Sequence, residues 1–420
     1  MEKTNIIPVL IGADMNCYNV ARAFHEQYGV RSYAFGRYAI GASNYTRIIK
    51  FTVVEKLDDP DVLVSTLLAF AKEHEGARLI AFGCTDDYAS MLIHCGSRLR
   101  PAYIVPYIGP ELFERLAYKA SFYEDCDRHG ILYPKTKIVS RDTDVEELLD
   151  EDKLGFSYPI IIKPSASAVY WHYPFDGMKK VYTAASKGEA EIIIRRIYAS
   201  GYPEKIILQD MIPGDDSKMR VLTAYSDRNG KVRMMCLGHV LLEEHTPKGL
   251  GNHCAIITEE NRPLMEKFRK YLEDVGFVGY SNFDIKYDER DGTFRAFEIN
   301  LRLGRSNYYV TSAGCNVAKY IVDDYINDIF AADSSGADNS ERTYFCDREV
   351  FWHSVPKGVV YEYCRDKNEV AHAKALARAG KAHASLWYGY DLFMNPRRLF
   401  FLIIHGRNHY GKFRKYYGKE

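Results

Sequence analysis

The first 118 residues alternate short apolar runs with longer stretches of helical periodicity. Ile7-Pro8-Val9-Leu10-Ile11-Gly12 reads as a buried strand, and Asn16 to Tyr28 as the helix that follows it. Leu79-Ile80-Ala81-Phe82-Gly83 predicts a second strand, followed by Asp86-Asp87 and another helical stretch. Strands alternating with helices predict βαβ units and a parallel sheet. The first turn has one glycine where a dinucleotide fingerprint wants three, which argues against a dinucleotide site there. Acidic residues just after parallel strands stand where such sheets bind ligands. Asp86 and Asp87 are therefore substrate candidates, with helix N-capping as the competing role.

From about residue 119 the pattern changes. Lys119 to Gly130 predicts a helix ending at a glycine cap. Tyr133-Pro134-Lys135-Thr136 leads into a strand, and Tyr158–Pro164 and Lys205–Gln209 predict two more. Between those two lie a Ser/Ala/Gly segment, 165–180, and a helix, 187–200. Residues 331–340 are small and polar and predict a linker. A C-terminal piece of about 80 residues follows it.

The most informative pattern is Tyr280–Tyr287, the turn Asp288–Gly292 with its Asp-Gly signal, and Phe294–Arg302, two alternating runs that predict a β-hairpin. Side chains alternate faces along a strand. One face carries Asn282, Asp284 and Lys286 with Glu298, Asn300 and Arg302; the other carries Phe283, Ile285, Phe297, Ile299 and Leu301. A register that keeps these faces consistent sets Asp284 opposite Glu298. Two facing carboxylates repel unless something positive sits between them. With an Asn oxygen two residues on, hard-oxygen ligation of Mg²⁺ is one reading. A solvated polar sheet face, with Lys286 balancing the charge, is the other.

Composition narrows the function classes. Hydrophobic residues make up 47% and charged residues 27%, which excludes wholesale disorder. Fifty-six basic residues cancel 56 acidic ones, a balance that argues against generic nucleic-acid binding. The zero conceals a basic end: residues 396–420 hold seven basic residues and one acidic one. Nine scattered cysteines with no Cys-x-x-Cys pair fit reduced thiols, not a disulfide framework or a zinc site. The apolar run Ile6–Ile11 is too short for a signal peptide. No run approaches the roughly 20 residues that span a bilayer; near the end the longest is Leu399–Ile404. The expected compartment is the cytoplasm.

Glu298-x-Asn300-x-Arg302-x-x-Arg305-Ser306, with Asp284 one strand earlier, resembles the metal-binding signature of the ATP-grasp ligases. Lys119 and Lys163 match the two lysines that hold ATP phosphates. Gln209-Asp210-Met211-Ile212 matches the adenine hinge, and Asp216 the acid that binds the ribose hydroxyls. Within this superfamily the chain resembles the bacterial D-aspartate ligases of peptidoglycan cross-bridge synthesis. Gly12–Asn16, Phe113–Leu116, Lys119–Glu124, Ile212–Ser217, Arg233–His239, Phe297–Arg302 and Val355–Lys357 carry that likeness. Two departures stand out. Ser165–Trp171 replaces a loop that is glycine-rich in many relatives, and Gln209 stands where many have Glu.

The resemblance implies an α/β (α+β) chain in three parts. Residues 1–118 would form a Rossmann-like pre-ATP-grasp domain and 119–330 the ATP-grasp domain, with two subdomains sandwiching ATP. A linker and C-terminal extension, 331–420, would complete it. It further implies ATP with Mg²⁺ (or Mn²⁺) held by Asp284, Glu298 and Asn300. Arg302 and Arg305 would stabilise an acyl phosphate and the tetrahedral oxyanion; His253 would touch the phosphates. The implied substrates are D-aspartate and the lysine amine of a UDP-linked muramyl pentapeptide. A ligase of another amino acid or small amine, or a nucleotide-binding protein without catalysis, are the alternatives. The basic end is expected to be a terminal helix docked by its apolar side, or else a weak peripheral contact with the inner face of an anionic membrane.

Overall fold

The computed structural model describes residues 5–247, 249–330 and 342–417. The small polar stretch 331–340 lies outside them. The chain folds into two compact units. One comprises Met1–Phe113, Asp215–Asp284 and Ile299–Glu420, the other Glu114–Gly214 and Ile285–Glu298.

In the first unit, β1 (Ile6–Ile11), β2 (Ser32–Gly36), β3 (Ile49–Val53), β4 (Arg78–Gly83) and β5 (Tyr103–Ile104) form a parallel sheet in the order β3-β2-β1-β4-β5. The order reverses between β1 and β4, and the carboxyl ends of those strands flank the crevice where such sheets bind ligands. The helix Met15–Tyr28 starts there. Asp14 caps it by accepting from Cys17 N at 3.1 Å, and Gly29 ends it with a left-handed φ of 66°. Gly83, at the end of β4, has no room for a side chain: a Cβ would lie 2.4 Å from Ala89 N.

In the second unit, β6 (Thr136–Val139), β7 (Ile160–Pro164), β8 (Tyr182–Ala184) and β9 (Ile206–Asp210) form an antiparallel sheet in the order β6-β9-β7-β8. Ile160, Ile162, Ile206 and Leu208 pack with Ile194 and Ile197 of the helix Lys187–Ala199. Lys163 lies on the other face of β7.

The remaining strands are β10 (Met219–Ser226), β11 (Val232–Glu244), β12 (Asn252–Glu259), β13 (Gly279–Asp288), β14 (Thr293–Asn300), β15 (Tyr344–Phe345), β16 (Phe351–His353) and β17 (Ala382–Ala384). They form one sheet, β14-β13-β10-β11-β12-β16-β17, with β15 against β11. The segment after the sequence-predicted linker thus supplies three strands to this sheet. Trp352 of β16 belongs to the same buried core as Tyr18, Phe82 and Tyr309. The hairpin β13–β14 forms as the alternation predicts, and Phe283 on its apolar face packs 4.6 Å from the ring of Phe268. No helix among the described residues is long and apolar enough to cross a membrane.

Candidate active site

In the second unit the sequence-predicted lysines meet partners on β9 and β14. Lys163 lies on β7, whose pairing Ile161↔Gln209 sets Lys163 and Gln209 on one face as diagonal neighbours. Lys163 Nζ donates to Gln209 Oε1 at 2.9 Å. The Gln209 amide nitrogen donates to Tyr123 Oη and Thr136 Oγ1, both at 2.9 Å, so every polar atom of this side chain is engaged. Because Gln209 is neutral, it offers Lys163 no countercharge. Burial, reinforced by the Lys119 charge and only partly offset by Glu298, brings Lys163 down to about 7. Lys119, at the first position of the helix Lys119–His129, forms an ion pair with Glu298. The Lys119 charge holds Glu298 well below the usual carboxylate range against the opposing effect of burial.

The hinge residues follow β9. Asp210 is engaged by Arg290 through two contacts, 2.6 and 3.1 Å, and Arg290 and Arg295 also hold the buried Asp288. Lys286 donates to the carbonyls of Ile212 (3.0 Å) and Gly214 (2.8 Å) and so braces the hinge. Met211 lies between Asp210 and Ile212, with its backbone in the same stretch. Ser165–Trp171 folds around one helical turn, Ser167–Tyr170, and Tyr170 is buried against Tyr182 at 2.7 Å between hydroxyls.

The first unit holds the other half of the predicted residues. Asn300 Nδ2 lies 3.1 Å from Asp284 Oδ2, which places the two on one face of the hairpin. His253 is the second residue of β12, and its side chain is only 7% exposed. Its Nε2 lies 3.3 Å from Glu243 Oε1 and 4.0 Å from Asp284 Oδ1. Burial opposes its charged form, but the Glu243, Asp284 and Asp216 carboxylates outweigh that and raise its pKa. Asp216 accepts from the backbone N of Glu243 at 2.9 Å and lies 3.0 Å from His245 Nε2.

Arg302 reaches the crevice at the β1/β4 switch point, where its guanidinium pairs with Asp86 Oδ1 at 2.8 Å. Burial opposes its charge, but Asp86, Asp14 and Asp284 keep it fully cationic. Helix N-capping beside it falls to Thr85, which accepts from Tyr88 N, so Asp86 is a partner of Arg302 and not a cap. The loop bearing the arginines is pinned to the first sheet: Asn16 Nδ2 donates to Cys84 O (2.9 Å) and Leu303 O (2.8 Å), and Asn19 Nδ2 to Arg305 O (3.0 Å). Arg305 Nη1 lies 3.3 Å from Glu244 Oε2. A small cavity of about 10 Å³ opens here, lined by Asn16, Gly83, Cys84, Tyr107, Tyr280 and Arg302. Sequence reasoning missed Glu243, Glu244 and the Asp14–Arg302 coupling. Asp14, directly after a predicted strand, was the one detectable signal.

Carboxylate and amide oxygens of the types Asp284 and Asn300 carry are hard ligands. Among the described residues no three His, Cys, Asp or Glu side chains form a preformed metal cluster. No family model matches the chain. Solved structures resemble it at low identity. The biotin carboxylase domain of the Hydrogenobacter thermophilus 2-oxoglutarate carboxylase, crystallised with MgADP, aligns with TM-score 0.56 and 16% identity over 80% of this chain and 72% of that one. The L-amino acid ligase of Bacillus licheniformis aligns with TM-score 0.52 and 14% identity over 76% and 74%. These likenesses, with the sheets described above, define an ATP-grasp fold. In sequence the chain is 36% identical to the D-aspartate ligase of Enterococcus faecium (strain Aus0004) over 421 aligned residues, 99% of this chain and 98% of that one. The chain therefore belongs to the D-aspartate ligase family of ATP-grasp, amide-forming ligases.

Proposed function

We propose that this protein activates D-aspartate with ATP, at its β-carboxylate, and joins it to the lysine side-chain amine of a UDP-linked muramyl pentapeptide in the cytoplasm. The near-full-length relationship to the Enterococcus faecium enzyme carries this reading. A carboxylate oxygen attacks the γ-phosphorus of ATP; the bond to the β-phosphate oxygen breaks, and ADP leaves with an acyl phosphate formed. The amine then adds to the acyl carbon, the carbon–oxygen bond to phosphate breaks, and one proton is released with the amide. Negative charge gathers on the transferring phosphoryl group and then on the tetrahedral oxygen, so cations fixed in advance lower both barriers.

Lys119 and Lys163 would hold the phosphates, Asp210–Ile212 the adenine through backbone groups, and Asp216 the ribose. Asp284, Glu298 and Asn300 would hold Mg²⁺ (or Mn²⁺), which neutralises phosphate charge when bound. Glu298 is already ionised through its pairing with Lys119, and Asp284 shares its face with Asn300, so these oxygens suit a hard cation. Arg302, anchored by Asp86, and Arg305 would stabilise the acyl phosphate and the oxyanion. His253 sits beside Asp284 with its charged form favoured, which suits contact with a phosphate oxygen.

Phosphate release measured over a panel of D- and L-amino acids, with the muramyl pentapeptide as acceptor, tests the reading. D-aspartate-dependent turnover is expected. Turnover only with another pair would overturn the substrates while leaving the ligase class, and full activity in Glu298→Gln would overturn the metal assignment.

A further inference from the structure

The terminal helix Pro396–Tyr416 buries Arg398, Leu402, His409 and Phe413. The run Leu399–Ile404 docks through Leu402 and the partly buried Phe401, as the sequence suggests, but leaves an apolar side in water: Phe400 is 66% exposed, Ile403 41% and Ile404 44%. At 100° per residue these three share one side of the helix, which continues through the exposed Arg407 and Arg414. The turn before the helix adds Phe393 and Met394, 70% and 84% exposed. No acidic residue occurs between Leu392 and Lys419, whereas Arg397, Arg407, Lys412, Arg414 and Lys415 are all exposed.

The fold fixes this turn firmly. Asp391, wholly buried just before it, accepts from Tyr18 Oη (3.0 Å), Thr46 Oγ1 (2.8 Å) and Arg47 N (2.6 Å), and lies 3.3 Å from the buried Arg398 Nε. Asn395 donates to Tyr45 O at 2.8 Å and caps the helix at Arg398 N. Met394 itself takes a left-handed φ of 52°, unfavourable for a residue with a side chain. A buried ion pair and a strained backbone thus hold two large apolar side chains out in water, and large exposed apolar clusters mark interaction sites.

We propose that Phe393, Met394 and the outward face of the terminal helix are a docking surface for an anionic lipid bilayer. The apolar side chains enter the headgroup boundary, and the arginines and lysines lie against lipid phosphates. Charge complementarity selects lipid as the occupant: on this helix and turn the apolar cluster adjoins only positive charge, the pattern of helices that lie in a membrane interface. The surface determines where the enzyme works and is independent of which donor and acceptor it joins.

Truncation at 395 is no test, since it removes Arg398, Leu402 and Phe413 from the core. The full chain is instead co-sedimented with vesicles of phosphatidylcholine alone and of phosphatidylcholine mixed with phosphatidylglycerol, at low and high salt. Binding to the anionic vesicles alone, weakened by salt, is expected. Arg407→Gln and Arg414→Gln should each weaken it roughly five-fold, and the Phe393→Ser/Met394→Ser double variant at least about ten-fold. Thermal melting confirms that each variant is folded. No binding by the parent chain, or undiminished binding by folded variants, overturns the proposal. Self-association in sedimentation velocity that the double variant abolishes would assign the face to a second copy and overturn it as well.

Discussion

On the phosphate role proposed for Lys163, ATP binding becomes a protonation event. The Lys163 ammonium is buried, faces the charge of Lys119, and has the neutral Gln209 oxygen 2.9 Å away, so it titrates at about 7 in the free protein. Half the molecules then carry the charged form at pH 7, and roughly one in ten at pH 8. Phosphate oxygens close to Nζ would restore the ordinary lysine range, so binding at pH 8 should take up about 0.9 proton and at pH 6 only about 0.1. Apparent affinity should fall about five-fold from pH 7 to 8 and close to ten-fold for each further unit. Isothermal titration calorimetry of MgATP, repeated in buffers of different ionisation enthalpy, reads the uptake directly. Lys163→Arg keeps a permanent charge and should abolish the uptake. Gln209→Glu places a carboxylate beside the ammonium, raises its pKa in the free state and should reduce the uptake. Heats at pH 8 that do not depend on buffer, or equal uptake in Lys163→Arg, would refute the reasoning.

Three further outcomes follow from the ion pairs. Asp86→Ala removes the partner of Arg302 at 2.8 Å without touching the residues assigned to ATP; turnover should fall about ten-fold with MgATP affinity unchanged, in steady-state kinetics set beside calorimetry. Asp288, hydrogen-bonded to Arg290 and Arg295, is held at about 2, so its contribution is present above the unfolded value near 4 and is lost as pH falls from about 4 to about 2. Urea unfolding of Asp288→Asn should lack that acid-dependent leg. Asp391→Ala leaves Arg398 buried without its carboxylate and should cost about 3–5 kcal/mol in the same measurement.

What the sequence made legible were the features written locally. The strand–helix alternation of residues 1–118 and the β13–β14 hairpin follow from periodicity, and the end of the helix Lys119–His129 follows from Gly130, which adopts φ 63°. The residues of the signature also occur where their faces predict, as Asp284 beside Asn300 demonstrates. The misreadings all involve partners distant in sequence. Asp86 looks like a helix cap because nothing local reveals Arg302. The hinge carbonyls that Lys286 braces lie on another stretch, so nothing local announces that contact. β16 and β17 are three residues each, too short for alternation to register, so the C-terminal segment reads as an appendage although it extends the sheet.

The pinned arginine loop explains why so much of the chain must stay intact for one reaction. Arg302 and Arg305 follow directly on β14, whose own residues include Glu298 and Asn300. Hydrogen bonds from Asn16 to Leu303 O and from Asn19 to Arg305 O hold the loop between β14 and the buried helix Tyr308–Ser312. These bonds fix the guanidinium of Arg302 at the β1/β4 crevice, against Asp86. Catalysis by fixed cations depends on positions set before charge develops. Asn16 and Asn19, some 290 residues from the signature, therefore mount the two arginines to which the proposed function gives the charge-stabilising role.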